Sequence, residues 1–275
     1  MNSFATMPEE RQCRKAIRSA RVIVAKIGAS SLSNPSSSLD LEKVRALSEE
    51  VARLRKRGIG IILVSSGAIR AGRATMTMKV KNSEIAGLQA LAAVGQVVLM
   101  EAYRGIMAEL GFTVAQILLT WDDFRNKRRL RNLMNTINGL ISLGVIPIIN
   151  ENDTIAVDEI KFGDNDTLSA LVAKYMQADL LIILSDIGGL YSGDPSEEGS
   201  RLMTGVKSIT PEIERLVSQR HGGFGGMATK LKAAKIATEA GIPMVIANSA
   251  TENVVGRIIN GENIGTIFLP RDQNE

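Results

Sequence analysis

The chain alternates short runs of apolar, often β-branched residues with longer segments whose apolar positions recur at helical spacing. The short runs predict strands at residues 22–27, 61–64, 114–119, 145–149, 180–184, 244–247 and 266–269. The longer segments predict helices at residues 40–57, 83–110, 133–143, 167–176, 226–240 and 252–259. Continuous apolar strands that alternate with helices are typical of sheets covered on both faces. The pattern therefore predicts an α/β fold, a three-layer αβα sandwich with a mainly parallel central sheet.

Glycines mark the ends of several predicted helices. Gly58, Gly111, Gly144 and Gly241 each follow a helical segment directly. Glycine at this position permits the left-handed backbone that commonly caps a helix C-terminus. We therefore expect the helices to end at these four residues.

Composition restricts the chemistry. The chain has 275 residues, of which 45% are hydrophobic, enough for a sizeable core. Cys13 is the only cysteine, which excludes an internal disulfide or a cysteine metal cluster and favours a reducing, cytoplasmic compartment. With a single histidine as well, the chemistry is expected to use carboxylates, amides and lysines. No apolar run approaches the length of a membrane span, so no membrane partner is expected.

The charge pattern favours solvated helix faces over a nucleic-acid surface. The net charge is +4, and basic residues cluster at 11–21 and 125–131, but aromatic residues make up only 4% of the chain. Stacking platforms for single-stranded nucleic acid are therefore scarce. Residues 1–20 are predicted to be an N-terminal extension, and Glu9 and Glu10 argue against a transit peptide.

The most informative segment lies between a predicted strand and a predicted helix. It places three carboxylates and three amides within seventeen residues: Asp153, Asp164, Asp166, Asn150, Asn152 and Asn165. Open α/β sheets bind ligands at the carboxyl ends of their strands. We therefore expect a ligand site here.

Two further strands end in residues that can bind an anion. The first carries Lys26 among apolar residues and runs into Gly28, and a buried lysine needs a partner such as a phosphate. The alternative is a lysine whose ammonium reaches the surface. The second strand ends in Ser66 and Gly67, where backbone N–H groups can approach an anion at a helix start, although this motif taken alone favours an ordinary capped turn.

A glycine-rich segment at residues 222–230 opens a predicted helix and carries Lys230 one turn in. The spacing fits neither the Walker A motif nor the dinucleotide-binding fingerprint. Successive glycine N–H groups can still form a phosphate nest, and the lysine favours phosphate contact over a plain flexible loop. Ser185 and Asp186 follow another buried strand, where a ligand contact and a simple tight turn are both open.

The order of these motifs is more specific than any one of them. Strand–Lys–Gly, strand–Ser–Ser–Gly, Asn-Glu-Asn-Asp, Gly-Asp-Asn-Asp, Ser-Asp and Gly-Gly-Met-Ala-Thr-Lys follow one another between Arg21 and Leu269. In this order the chain closely resembles the amino acid kinase family, in particular its members that phosphorylate the side-chain carboxylate of glutamate. The resemblance implies a kinase domain at residues 21–270, glutamate-binding in its N-terminal part and ATP-binding from about residue 180. Many bacterial members carry a C-terminal PUA domain, which is expected to be absent here because the chain stops soon after Leu269.

The resemblance assigns roles to individual residues. Lys26 and Lys230 would contact phosphate, and Asp166 would organise the two lysines. The glutamate ligands would be Ser66, Gly67, Asn150, Asp153 and Asn165. The ATP ligands would be Lys26, Gly28, Ser185, Asp186, Phe224, Gly225, Gly226, Met227, Ala228, Thr229 and Lys230.

Cofactor and partners follow from the same resemblance. Mg²⁺ would bridge the phosphates of ATP mainly through water, with no protein ligand assigned to it. The expected partners are L-glutamate and ATP, with assembly as a homo-oligomer and feedback inhibition by proline. The chain departs from the usual pattern at Ser185, Phe224 and Gly188, all in the nucleotide loops.

The chemistry suits a chain with almost no histidine. The side-chain carboxylate of glutamate is ionised at neutral pH, so its phosphorylation needs charge neutralisation and positioning rather than a general base. Asp153 can pair with the α-ammonium of a free amino acid, whereas an N-acetylated substrate would leave that carboxylate unpaired. This favours glutamate. The alternatives are a kinase of the same fold for N-acetylglutamate or aspartate, or a non-catalytic ligand sensor.

Overall fold

One eight-stranded sheet organises the fold. The computed structural model describes residues 7–34, 38–76, 81, 84–156, 165–218 and 226–271. The strands are β1 (Val22–Ile27), β2 (Gly60–Ser65), β3 (Val114–Leu119), β4 (Ile146–Glu151), β5 (Leu180–Ser185), β6 (Gly205–Val206), β7 (Met244–Asn248) and β8 (Thr266–Phe268). They lie in the order β3-β4-β2-β1-β5-β7-β8-β6. Neighbouring strands are parallel except β7 and β8, which are antiparallel.

Helices occupy most connections between the strands. In the described part of the chain they are α1 (Pro8–Ala16), α2 (Leu41–Lys56), α3 (Ala68–Thr75), α4 (Ile85–Glu109), α5 (Trp121–Arg125), α6 (Lys127–Ser142), α7 (Asn165–Tyr175), α8 (Pro211–Ser218), α9 (Met227–Glu239) and α10 (Val254–Ile259). Short 3₁₀ turns span Ile17–Ser19 and Ser30–Leu32.

Alternate residues of the central strands point into two separate cores. Ile23 and Ala25 of β1 belong to the core that α2, α4 and α10 complete. Val24 of the same strand belongs to the core formed with α6, α7 and α9. Since successive side chains of a strand face opposite sides, helices cover both faces of the sheet. The predicted three-layer αβα sandwich with a mainly parallel sheet is confirmed.

The predicted elements form close to their expected positions. All seven predicted strands are present, and the four glycines predicted to cap helices have φ between 77° and 83°. Helix α6 begins earlier than predicted because the side chain of Asn126 accepts from the N–H groups of Arg128 and Arg129. The two-residue strand β6 and the short helices α3, α5 and α8 were not predicted.

Helices α3 and α4 approach each other at two glycines. A Cβ on Gly95 of α4 would overlap the carbonyl oxygen of Ala68, and one on Gly72 of α3 would overlap that of Leu91. Only glycine permits such close backbone contact. The contact fixes α4 against the turn that follows β2, so the neighbouring residue Gln96 has a defined position near that turn.

The N-terminal helix α1 is tied to the C-terminal part of the chain by a buried arginine. Arg14 Nε donates to Glu10 Oε1 over 3.0 Å, and its other nitrogens donate to the carbonyls of Glu262 (3.1 Å), Ile264 (3.2 Å) and Thr204 (2.9 Å). The pair is buried, and buried charges need such partners. Residues 7–20 are therefore packed onto the domain.

Replacement of Arg14 by alanine is expected to lower the free energy of unfolding by about 3 kcal/mol, because Glu10 would keep a buried charge without its partner. Urea titration followed by circular dichroism measures the change. Arg11→Ala on the exposed side of the same helix is the matched control and should change stability by less than about 0.5 kcal/mol. Equal effects of the two variants would contradict a clamping role for Arg14.

Helix α4 is long and apolar enough, by length and composition, to cross a membrane. The statement that no apolar run approaches that length is therefore wrong for this helix. Its position in the fold explains the composition: one face packs in the core through Leu99, Tyr103 and Met107, while Glu101 and Arg104 on the other face are exposed. These are the properties of a core helix.

Candidate active site

The carboxyl ends of the central strands meet at one edge of the sheet. Lys26 of β1 lies in register with Val64 of β2 and with Ile183 of β5. Ser66 follows β2 directly, and its N–H donates to the carbonyl of Ile27 over 3.2 Å. Residues far apart in the sequence therefore line one site, at the edge where open α/β proteins bind ligands.

A buried carboxylate brings the two predicted phosphate-contacting lysines together. Lys26 Nζ lies 2.7 Å from Asp166 Oδ1, and Lys230 Nζ lies 3.3 Å from Asp166 Oδ2. None of the three side chains is more than 8% exposed. Burial alone would raise the pKa of Asp166, but the ammonium groups of Lys26 and Lys230 outweigh it and hold the pKa below its usual range. Asp166 is therefore ionised at neutral pH and fixes two cations side by side.

The first turns of α7 and α9 meet at this carboxylate. Thr229 Oγ1 lies 2.7 Å from Asp166 Oδ2 and 2.9 Å from the carbonyl oxygen of Gly226. Thr229, predicted as an ATP ligand, thus also helps to orient Asp166. Gly226 and Met227 are half-buried and Ala228 is exposed at the start of α9.

Part of the predicted nucleotide loop lies outside the described residues. Phe224 and Gly225, both predicted ATP ligands, belong to that part, as does Asp164 of the polar cluster. Their predicted roles stay predictions.

The end of β5 forms a small polar cluster with the end of β7. Ser185 Oγ donates to Asp186 Oδ1 over 3.0 Å, and Asn248 Nδ2 donates to the carbonyl of Asp186 over 3.2 Å. Asp186 is exposed. The N–H of Gly28, predicted to approach phosphate, donates here to the carbonyl of Leu184 over 3.3 Å. Asn248 was missed, although it directly follows a correctly predicted strand.

A chain of amides connects the predicted glutamate ligands. Asn165 Nδ2 donates to Ser66 Oγ (2.8 Å) and to Asn150 Oδ1 (2.9 Å). Asn150 Nδ2 donates to Gln96 Oε1 over 2.9 Å. Gly67, next to Ser66, has a φ of 114°, a left-handed value that turns the chain from β2 into α3 and favours glycine. Gln96 was missed because a polar residue within a helix carries no local signal of function.

Two buried oxygens at the site have no hydrogen-bond donor within the described residues. They are Asp153 Oδ1 and Asn165 Oδ1, in side chains that are 5% and 1% exposed. Burial raises the pKa of Asp153 to about 7, because water no longer stabilises its charged form. Buried acceptors are rarely left unpaired, which makes both oxygens candidate contacts for a ligand that donates hydrogen bonds. Asn152, in contrast, is used locally, where its Oδ1 accepts from Thr154 Oγ1.

The described residues contain no group of three or more acidic, histidine or cysteine side chains that could hold a metal ion. Mg²⁺ keeps several waters and commonly binds through one or two carboxylates plus substrate phosphates. The lysine pair on Asp166 would fit the phosphates of a nucleotide that carries its own magnesium ion.

The sequence of residues 21–248 matches the model of the amino acid kinase family. The chain belongs to the amino acid kinase family. The matched residues include Lys26, Asp166 and Lys230, so the buried lysine pair lies within the family's own domain.

Several relatives of this amino acid kinase share most of its length. A protein named glutamate 5-kinase from Clostridium tetani is 47% identical over 261 residues, covering 93% of this chain and 97% of its own. One of the same name from Clostridium acetobutylicum is 45% identical over 262 residues, with 94% and 98% covered. Another from Moorella thermoacetica is 44% identical over 266 residues, with 96% and 70% covered.

Solved structures of the fold are more distant in sequence. Carbamate kinase from Giardia lamblia bound to AMP-PNP has a TM-score of 0.66 at 18% identity, covering 92% of this chain and all of that chain. UMP kinase from Bacillus anthracis has a TM-score of 0.61 at 15% identity. At these identities the likeness shows the fold alone.

Proposed function

We propose that this amino acid kinase transfers the γ-phosphoryl group of ATP to the side-chain carboxylate of L-glutamate, forming γ-glutamyl phosphate and ADP. The observation that carries the proposal is the pair of buried lysines held on opposite oxygens of Asp166, at the same sheet edge as the unpaired acceptors Asp153 and Asn165. The names and high identity of the relatives support this substrate over others.

The proposed reaction needs charge control more than proton transfer. A glutamate side-chain oxygen attacks the γ-phosphorus, the bond to the β–γ bridging oxygen breaks, and ADP leaves with that electron pair. The nucleophile is already ionised at neutral pH, so the main obstacle is its repulsion by the triphosphate. Lys26 at the transferred group and Lys230 at the leaving phosphates reduce this repulsion, while Asp166 keeps both in place. Mg²⁺ carried by ATP supplies further positive charge.

The buried acceptors account for the amino acid specificity of the proposal. In this proposal the α-ammonium of glutamate donates to Asp153 Oδ1 and Asn165 Oδ1, and hydrogen bonds from Asn165 connect that contact to Ser66 and Asn150. N-acetylglutamate carries a neutral amide in place of the ammonium and would leave Asp153 without a countercharge. The nucleotide is held by the residues at the starts of the turns after β1 and β5 and at the start of α9.

Trapping of the acyl phosphate by hydroxylamine tests the proposed function. With ATP and Mg²⁺, glutamate should give a hydroxamate, whereas N-acetylglutamate and aspartate should give little. A better yield from N-acetylglutamate would replace glutamate by that substrate. A chain that binds glutamate or ATP without forming either product would be a ligand sensor of the same fold.

Asp153 gives the proposed enzyme a defined pH dependence. Its pKa of about 7 in the unliganded protein means that acid neutralises the partner of the substrate ammonium. Raising the pH from 6 to 8 increases the ionised fraction of such a group roughly tenfold, so kcat/KM for glutamate should rise by about that factor. Steady-state kinetics at both pH values measure this. Asp153→Asn should remove most of the rise of kcat/KM with pH, and it should raise the KM for glutamate far more than the KM for ATP. An unchanged pH profile of kcat/KM in this variant would contradict the assignment of Asp153 as the partner of the substrate ammonium.

Pathway, assembly and regulation extend the proposal. The reaction is the first step of proline biosynthesis in the cytoplasm, and proline, which also carries an α-ammonium and an α-carboxylate, is proposed as a competing inhibitor.

The enzyme is proposed to be a homo-oligomer, supported by edge strand β3 and the groove of about 490 Å³ beside it, where Val97 is 60% exposed. Light scattering, and glutamate titrations with added proline, test these two points. We propose no nucleic-acid or membrane partner.

A further inference from the structure

The orientation of the amide chain at the glutamate site is set by one backbone group. The N–H of Glu151 donates to Asn150 Oδ1 over 2.9 Å. A backbone N–H can only donate, so the atom that it contacts must be the side-chain oxygen of Asn150. The orientation of this side chain is therefore fixed by the strand and not by a choice between equivalent amide positions.

The orientation of Asn150 determines how both neighbouring amides, Gln96 and Asn165, are oriented. Asn150 Nδ2 must face an acceptor, and Gln96 Oε1 lies 2.9 Å away. On the other side, Asn150 Oδ1 also accepts from Asn165 Nδ2, whose second contact is Ser66 Oγ. Both N–H bonds of the Asn165 amide are thus used within the protein.

The remaining polar atom of the Asn165 side-chain amide is its oxygen. With its nitrogen committed to Asn150 and Ser66, Asn165 Oδ1 is left buried and without a donor among the described residues. The reversed amide would present an N–H group at this place and would repel a cationic ligand. The orientation of the chain therefore decides whether the site accepts an ammonium group.

We propose that Gln96 is a positioning residue that, together with the N–H of Glu151, holds the amide chain in the orientation that suits a substrate with an α-ammonium group. Gln96 accepts from Asn150 and so stabilises the orientation in which Asn165 offers its oxygen to the ligand. The inference rests on the proposed function for the identity of that ligand, glutamate, but the role of Gln96 can be measured separately by binding.

The place of Gln96 in the fold suits this role. It follows Gly95, whose backbone contact with Ala68 fixes α4 against the turn after β2. The side chain is half-buried and borders the groove beside β3. Gln96 therefore contacts the amide chain only at Asn150 among the described contacts, and it contacts neither Lys26 nor Lys230 there.

The test compares Gln96→Leu with Gln96→Glu in the full chain, using calorimetric Kd values for glutamate and for glutarate, which lacks the ammonium group. Gln96→Leu removes the acceptor and should raise the Kd for glutamate about tenfold, the equivalent of one hydrogen bond, while changing the Kd values for glutarate and ATP by less than about threefold. Gln96→Glu keeps an acceptor oxygen at this position, so its Kd for glutamate should lie within about threefold of that of the original chain. The same change at exposed Gln12 of α1 is the matched control.

Each result decides the proposal. Equal weakening of glutamate and glutarate by Gln96→Leu, or failure of Gln96→Glu to restore binding, would show a merely structural role and overturn it. Both variants are compared at the same folded fraction, checked by circular dichroism. A wild-type protein that binds glutamate without phosphorylating it would overturn the proposed function, yet the ratio of the two Kd values would still decide the role of Gln96.

Discussion

Lys230→Ala is expected to reduce turnover at least about a hundredfold, the size of effect produced by removing one group that stabilises the transition state. The physical reason is the burial of Lys230 beside Asp166, where an ammonium group interacts with a leaving phosphate far more strongly than in water. Coupled ADP release at saturating ATP and glutamate measures the change.

Lys232→Ala provides the control for this prediction. Lys232 lies two residues further along α9 but is exposed, so its loss should alter turnover by less than about threefold. Near-normal turnover of Lys230→Ala would remove Lys230 from the phosphate site and leave it only as a structural partner of Asp166.

Asp166→Asn is expected to lower the free energy of unfolding by about 3 kcal/mol in the absence of ligand. The substitution keeps the shape of the side chain but removes the negative charge that Lys26 and Lys230 both contact. Urea titration measures the loss, and Asp122→Asn, at an exposed carboxylate, is the matched control.

Addition of ATP distinguishes a charge effect from a packing effect. Triphosphate would bring negative charge to the two lysines, so saturating ATP should restore more stability in Asp166→Asn than it adds to the original chain. A smaller gain in the variant would mean that Asp166 contributes mainly by shaping the nucleotide site.

Most of the sheet was predictable because its central strands are buried on both faces. Runs such as residues 180–184 are apolar without interruption, which separates them clearly from the helices that follow. β6 was not predictable, since a two-residue strand has no pattern and depends on its partner β8. Helix α3 was not among the predicted helices because it has only eight residues, although the Ser66–Gly67 turn indicated a helix start.

The candidate site was predictable where polar residues end an apolar strand. Lys26, Ser66, Asn150 and Ser185 all stand at such ends, and the parallel sheet brings those ends together. The sequence could not give the contacts that cross between elements. Gln96 was missed for that reason: its partner Asn150 is 54 residues away in the sequence.

The hydrogen bonds by which Arg14 holds α1 against the C-terminal part of the chain have a consequence for protein synthesis. Arg14 is made early, but its partners at 262–265 follow 248 or more residues later, so the helix that carries it can dock only when nearly the whole domain has left the ribosome. Strand β1 likewise waits for β5 before it acquires its second neighbour. Until then the nascent chain exposes one edge of β1, an unpaired strand edge of the kind that favours aggregation and chaperone binding.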